Sequence, residues 1–105
     1  MSSNGLENNI WLKVFERPKN VVSRKIAGEL FLVPVAGKLA DMQRMFALTA
    51  VAEFIWERLD GQRNLGDIRN DVLACFDAEK EQADADIQAF VNELTAEGLL
   101  GELVN

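Results

Sequence analysis

Few residues in this sequence could carry out catalysis. The 105-residue chain has no histidine, no tyrosine and one cysteine, Cys75, so it offers no nucleophile–base pair, no histidine ligand and no multi-cysteine metal site. We interpret Cys75 as a small buried apolar residue at the end of a helix; the alternative is a reactive thiol, which would lack an imidazole to activate it. The sequence therefore predicts a protein that is not an enzyme, with no catalytic residue, no metal and no cofactor.

Pairs of carboxylates are the remaining candidates for chemistry. Asp84 and Asp86 are two residues apart and would not share a face of a helix. We interpret them as acids in the first turn of a helix, where they oppose its dipole. Glu93 and Glu97 are four residues apart and would share a face, where like charges cost about 0.2–0.5 kcal/mol. That cost is a reason to consider a basic ligand along this helix.

The charge of the chain is unevenly distributed. Residues 1–50 contain seven Lys/Arg and four Asp/Glu, whereas residues 51–105 contain four Lys/Arg and thirteen Asp/Glu. The net charge of the whole chain is −6. Nucleic-acid affinity depends on Lys/Arg that neutralise phosphates, so no nucleic-acid partner is expected. The acidic half is either a solvated surface or a surface for a basic partner. No apolar run approaches the ~20 residues that span a bilayer, and the N-terminus does not resemble a secretory signal, so we expect a cytoplasmic protein without membrane association.

Two β-rich segments predict a hairpin. Val21 to Ile26 and Glu29 to Val33 are rich in β-branched and large apolar residues, and only Ala27-Gly28 separates them. Gly28 can take a positive φ, which favours a tight two-residue turn. Pro34 has no N–H donor and is expected to end the second strand. Ahead of these strands, residues 1–16 are predicted to form a partly flexible arm. Within it, Ile10, Leu12 and Val14 alternate with Trp11, Lys13 and Phe15, which indicates either a short strand or a part of the arm.

The segment from Arg44 to Leu48 is the candidate binding element. As a strand it would place Met45 and Ala47 on one side and the other three residues on the opposite side: Arg44, Phe46 and Leu48. If it is an edge strand, its outward backbone groups can pair with an incoming peptide, and side-chain pockets then supply selectivity. The alternative is an edge covered by the protein's own loop.

From Thr49 onward the apolar pattern becomes helical. Thr49 is predicted to cap a first helix that ends at Asp60-Gly61, and Asn64 to cap a second with Asp67 in the capping-box position. Asp84 is predicted to cap a third helix, which ends at Gly98. Trp56 is interpreted as a core residue, with groove lining as the alternative. The other positions expected to point inward are Val51, Ala52, Ile55, Leu59, Leu65, Ile68, Val72, Phe76, Ile87, Phe90, Val91 and Leu94; Leu99, Leu100 and Leu103 are expected to pack back as a tail or short strand.

These elements predict an α+β fold in which a small antiparallel sheet precedes three helices, as in a winged-helix unit. Such a fold permits a DNA-binding transcriptional regulator as an alternative function. However, residues 84–97 contain no Lys or Arg, and only Gln88 and Asn92 could read bases.

Several segments together resemble the PqqD family, named for coenzyme PQQ synthesis protein D. They are the segment Gly28 to Val35, the segment Met45 to Gly61 with its run Ile55-Trp56-Glu57-Arg58-Leu59-Asp60-Gly61, the pair Asp67-Ile68, and the segment Leu94 to Leu100. The resemblance covers roughly residues 17–101. The predicted domain comprises residues 17–105. Thr49 stands where the family usually has Asn, and Arg58 where Leu is common. The loop from Val35 to Gln43 resembles the generic branch of the family, so the product pathway, PQQ or a related compound, is left open.

The resemblance implies a winged-helix-like fold with a three-stranded sheet and three helices. It also implies a non-catalytic adaptor that binds the leader of a ribosomally made precursor peptide and presents it to a radical SAM or other peptide-modifying enzyme. In the family the leader adds to the edge of the third strand and lies against the third helix. The residues implied to bind peptide are Arg44, Met45, Phe46, Ala47, Leu48, Asp86, Ala89, Phe90 and Glu93. The chain is expected to be a monomer or a homodimer.

Overall fold

The computed structural model describes residues 8–34 and 45–103. Predictions for residues 1–7, for the loop 35–43 and for Arg44 lie outside the described residues. A short 3-10 helix, Asn8–Leu12, precedes strand β1, Val14–Glu16. β1 lies within the segment predicted as an arm, and its Phe15 is only 4% exposed.

The predicted hairpin is confirmed. Strands β2 (Val21–Ile26) and β3 (Glu29–Pro34) pair antiparallel in a register that runs from Val21↔Pro34 to Ile26↔Glu29. The φ angles are 53° at Ala27 and 87° at Gly28. Two successive positive φ values define a type I′ turn, whose twist matches that of the flanking strands.

Strand β4, Phe46–Leu48, completes the first sheet in the order β2-β3-β4. It pairs antiparallel with β3 through Leu30↔Leu48, Phe31↔Ala47 and Leu32↔Phe46. Within the described residues β4 is therefore an edge strand. The alternative, an edge covered by the loop that precedes it, falls on residues 35–44, which lie outside the described residues. Met45 precedes the strand and is 51% exposed.

Three helices follow, α1 (Ala50–Arg58), α2 (Leu65–Cys75) and α3 (Lys80–Ala96). The hydroxyl of Thr49 accepts the N–H of Ala52 at 3.1 Å, which caps α1. At α2 the Asn64 side chain accepts the N–H of Asp67, and Asp67 accepts the N–H of Asn64, which is a complete capping box. These caps are those that the sequence predicts.

The C-terminus of α3 is a Schellman motif. Gly98 has a φ of 76°, its N–H bonds the carbonyl of Thr95, and the N–H of Leu99 bonds the carbonyl of Leu94. This arrangement confirms that Gly98 ends the helix. It also turns Leu99 and Leu100 back into the core, where both are buried.

The predicted start of α3 is wrong. The helix begins at Lys80 with Glu79 at the N-cap, so Asp84 is an internal residue rather than a cap, and Asp86 is not in the first turn. Ala83, 3% exposed, anchors this additional turn in the core. Asp84 instead forms ion pairs with Lys80 at 2.9 Å and with Arg69 of α2 at 3.3 Å.

A second sheet has the order β5-β1-β6, with β5 at Asp60–Asn64 and β6 at Gly101–Leu103. α1 ends at Arg58 with Leu59 as its C-cap, and Asp60-Gly61, predicted as its stop, begins β5 instead. Gly61 does have the left-handed conformation expected of it, with a φ of 82°. Of this sheet the sequence indicated β1 and β6, each as one of two alternatives.

The core is one cluster formed by the three helices and by buried residues of both sheets. Ile55, Leu59, Ile68, Ile87 and Leu94 are essentially inaccessible. Trp56, 3% exposed, is confirmed as a core residue. Among the helices in the described part of the chain, none combines the length and apolar character needed to cross a membrane.

The prediction that Cys75 is buried is wrong, because the thiol is exposed. The inward stripe of α2 runs through Ile68 and Val72 to Phe76, which takes the inward position beside Cys75. The Phe76 ring meets the Phe54 ring of α1 edge-on, with centroids 5.1 Å apart.

Candidate functional site

A groove of about 590 Å³ runs between β4 and α3, with the first half of α1 as its floor. Its walls bring together residues about forty positions apart in the chain. The described residues that line it are Met45, Phe46, Ala47, Leu48, Thr49, Val51, Ala52, Ile55, Asp86, Ala89, Phe90, Glu93 and Leu94.

Among the strands of residues 8–34 and 45–103, none pairs with the outer side of β4 at Ala47. In the I′ turn, Ile26 and Glu29 form a hydrogen-bonded pair. Along an antiparallel ladder, hydrogen-bonded pairs alternate with pairs that are not hydrogen-bonded to each other. β3 therefore directs the backbone groups of Leu30 and Leu32 toward β4, where they meet Leu48 and Phe46. Ala47, opposite Phe31, directs its N–H and C=O away from β3. An added strand would bond to these two groups.

The α3 wall is one helical stripe. Asp86, Ala89, Phe90 and Glu93 have the spacing i, i+3, i+4 and i+7, which places them on one face. Ala89 is exposed and Phe90 is half-buried. The stripe thus combines a small residue, an aromatic ring and a carboxylate at each end.

The floor of the groove comes from residues that sequence reasoning did not assign to a site. Val51, Ala52 and Ile55 of α1 and Leu94 of α3 were expected only as core. Val51 and Ala52 are half-buried, so they serve both the core and the groove. Thr49 also lines the groove. The apolar period of α1 indicates that these residues face inward. It does not show whether that face is covered by other residues or forms the floor of a groove.

The charged side chains among the described residues of the groove are both acidic. Asp86 accepts a hydrogen bond from the neutral amide of Gln82 at 2.8 Å. Glu93 has no ion pair within the described part of the chain. Outside the groove, an ion pair connects β2 to α1, with Lys25 Nζ 2.7 Å from Glu53 Oε2. The hydrogen bond and charge of Glu53 raise the pKa of Lys25 above its usual range.

Eight of the nine predicted peptide-binding residues line this groove. The ninth, Arg44, lies outside the described residues. The geometry is therefore that of a cleft beside a sheet edge, while the role of each residue in binding stays a prediction. Within the described residues, no three acidic or cysteine side chains are grouped so that they could hold a metal ion.

Comparison with known proteins gives a consistent set of relatives. The family profile described as "Coenzyme PQQ synthesis protein D (PqqD)" matches residues 29–100. The "PqqA binding protein" of Rhizobium meliloti (strain 1021) is 38% identical over 69 residues, which are 64% of this chain and 70% of that protein.

Two solved structures share the fold. One, "TbiB1 in Complex with the TbiA(beta) Leader Peptide", superposes with a TM-score of 0.68 at 22% identity over 86% of this chain and 99% of the other. The other, "Lasso peptide synthetase B1 complexed with the leader peptide", gives 0.68 at 19% identity over 82% and 95%. The α+β winged-helix-like fold is thereby confirmed. On the extent of the profile match and the identity to the Rhizobium protein, this chain belongs to the PqqD family.

Proposed function

We propose that this chain is a non-catalytic adaptor that binds the leader of a ribosomally made precursor peptide by strand addition and presents it to a modifying enzyme. The observation that carries the proposal is the groove, which combines the outward backbone of an edge strand with a helix wall at one site. Strand addition needs both parts, because backbone bonds supply affinity and side-chain pockets supply selectivity.

The relatives support a peptide as the ligand. The Rhizobium protein is named for binding PqqA, and both solved neighbours are described as complexes with leader peptides. These names describe peptide-binding proteins, which agrees with a role without catalysis. A radical SAM or other peptide-modifying enzyme as second partner, PQQ as the product pathway, and a cytoplasmic location are finer proposals that follow from family membership.

DNA binding has no support in the site. A recognition helix needs Lys, Arg, Asn or Gln at the major groove, whereas the accessible stripe of α3 ends in Asp86 and Glu93. The lysine that opens the helix, Lys80, is paired with Asp84.

The test is a titration of isotopically labelled protein with the leader peptide encoded beside its gene. We expect shifts at residues 45–48 and 86–94 and unchanged resonances in β5 and β6. Ala47→Pro removes the N–H that an added strand would bond and should weaken binding at least tenfold. Ala47→Val keeps the N–H and is the matched control. Shifts confined to the second sheet, or equal binding by both variants, would reject the site.

A further inference from the structure

We propose that the groove selects leader segments that carry two basic residues, one held by Asp86 and one by Glu93. This inference rests on the proposed function, because it names the chemistry of the peptide that the same groove takes. It concerns which leaders bind, whereas the edge-strand argument concerns how any leader binds.

The charge balance of α3 differs between its two sides. On the side facing α2, Asp84 is compensated by both Arg69 and Lys80. On the groove side, Asp86 meets only the neutral amide of Gln82, and Glu93 has no ion pair within the described residues. The other described residues that line the groove include no lysine and no arginine. Since residues 8–34 and 45–103 supply cations to one side of the helix only, the groove side fits a cationic ligand.

The spacing of the two carboxylates limits the ligand. Asp86 and Glu93 are two helical turns apart, or about 10.5 Å along the axis. An extended peptide rises about 3.3 Å per residue, and its side chains alternate between faces. Lysine or arginine residues two or four positions apart share a face of the peptide and can therefore reach both acids. Ala89, small and exposed between them, leaves room for their aliphatic stems.

The expected size of the effect follows from the exposure of the site. Ion pairs at a protein surface contribute up to about fivefold in affinity each, and salt weakens them. The two pairs together should give about a tenfold preference for a basic peptide at low salt. The preference should shrink as the salt concentration rises.

The test is selection of a displayed library of random 12-residue peptides on the immobilised full chain. Parallel selections use the double variant Asp86→Asn/Glu93→Gln and the control Asp77→Asn/Glu81→Gln, which removes two acids outside the groove. We expect peptides with paired Lys/Arg on the unaltered chain and on the control. We expect no such enrichment on the groove variant, and about tenfold weaker binding of the selected peptides to it at low salt.

The outcomes separate this inference from the proposed function. Peptides that compete for the groove but show no basic preference, or the same preference on the groove variant, would overturn the charge selection and leave the adaptor role intact. A library from which nothing is selected would count against both. Loss of the preference on the Asp77/Glu81 control as well would assign it to net charge and overturn the inference.

Discussion

Nη1 of Arg69 in α2 lies 3.3 Å from Oδ1 of Asp84 in α3, and both side chains are only 19% exposed. The guanidinium also lies over the ring of Trp11, 4.7 Å from its centroid. One arginine thus joins the N-terminal 3-10 helix, α2 and α3. Because this contact is away from the groove, it can be tested for stability without disturbing the site.

Asp84→Asn should lower the free energy of unfolding by about 1 kcal/mol, since it leaves Arg69 partly buried without its charged partner. Lys80→Gln is the matched control, because Lys80 contacts the same carboxylate from a side chain that is 63% exposed. We expect the control to cost less than about 0.5 kcal/mol. Urea unfolding followed by tryptophan fluorescence measures both, and equal losses would contradict a special role for the Arg69 pair.

Gly61→Ala should destabilise the fold by about 1–2 kcal/mol, the cost of a left-handed conformation for a residue with a Cβ. The φ of Gly61 is 82°, and an added Cβ would lie 3.3 Å from Oε1 of Glu16. Gly101→Ala in the same sheet is the control, because its added Cβ would meet nothing within 4 Å and its φ is not positive. Comparable unfolding midpoints for the two variants would contradict this prediction, because they would show that β5 accommodates the added Cβ without loss of stability.

The elements that could be predicted from the sequence are those with a local signal. The turn at Ala27-Gly28, the caps at Thr49 and Asn64, and the stop at Gly98 each depend on residues within four positions of one another. Their chemistry is the same in any context, which is why the structure agrees with them.

The elements that were missed depend on distant contacts. β5 is polar along Asp60–Asn64 and becomes a strand because β1 pairs with it from more than forty residues away. The extra turn of α3 depends on the burial of Ala83 and on Arg69, neither of which periodicity reveals. The β4 wall could be suggested from the strand pattern of Arg44 to Leu48, whereas the full α3 wall came from the family resemblance. The floor on α1 needed the structure.

Ala89→Trp should fill the groove and weaken leader binding at least tenfold, with little change in stability. Ala89 is exposed on the α3 wall, so a large ring there would occupy the space that an added strand needs. Ala74→Trp in α2 is the matched control, because Ala74 is also a helical, exposed alanine but does not line the groove. Isothermal titration calorimetry measures both. Unchanged affinity of Ala89→Trp would move the peptide site away from α3.

Asp60 should make the stability of the second sheet depend on pH in the acid range. Its Oδ1 accepts the backbone N–H of Gln62 at 3.0 Å and of Arg63 at 3.1 Å. These bonds, that of Gln62 first, hold the pKa of the carboxyl below its ordinary value of 3.8. The stabilisation is therefore complete above pH 3.8 and is lost as the pH falls through the lower pKa of the folded state.

The charge is isolated by Asp60→Asn, which keeps an acceptor oxygen. The difference in unfolding free energy between the parent and this variant should be constant from pH 7 to pH 5 and should shrink below about pH 3.8. Asp77→Asn, at an exposed position between α2 and α3, controls for the loss of one negative charge. A difference for Asp60→Asn that stays unchanged down to pH 2 would mean that the amide reproduces the bonds fully and that the charge contributes nothing.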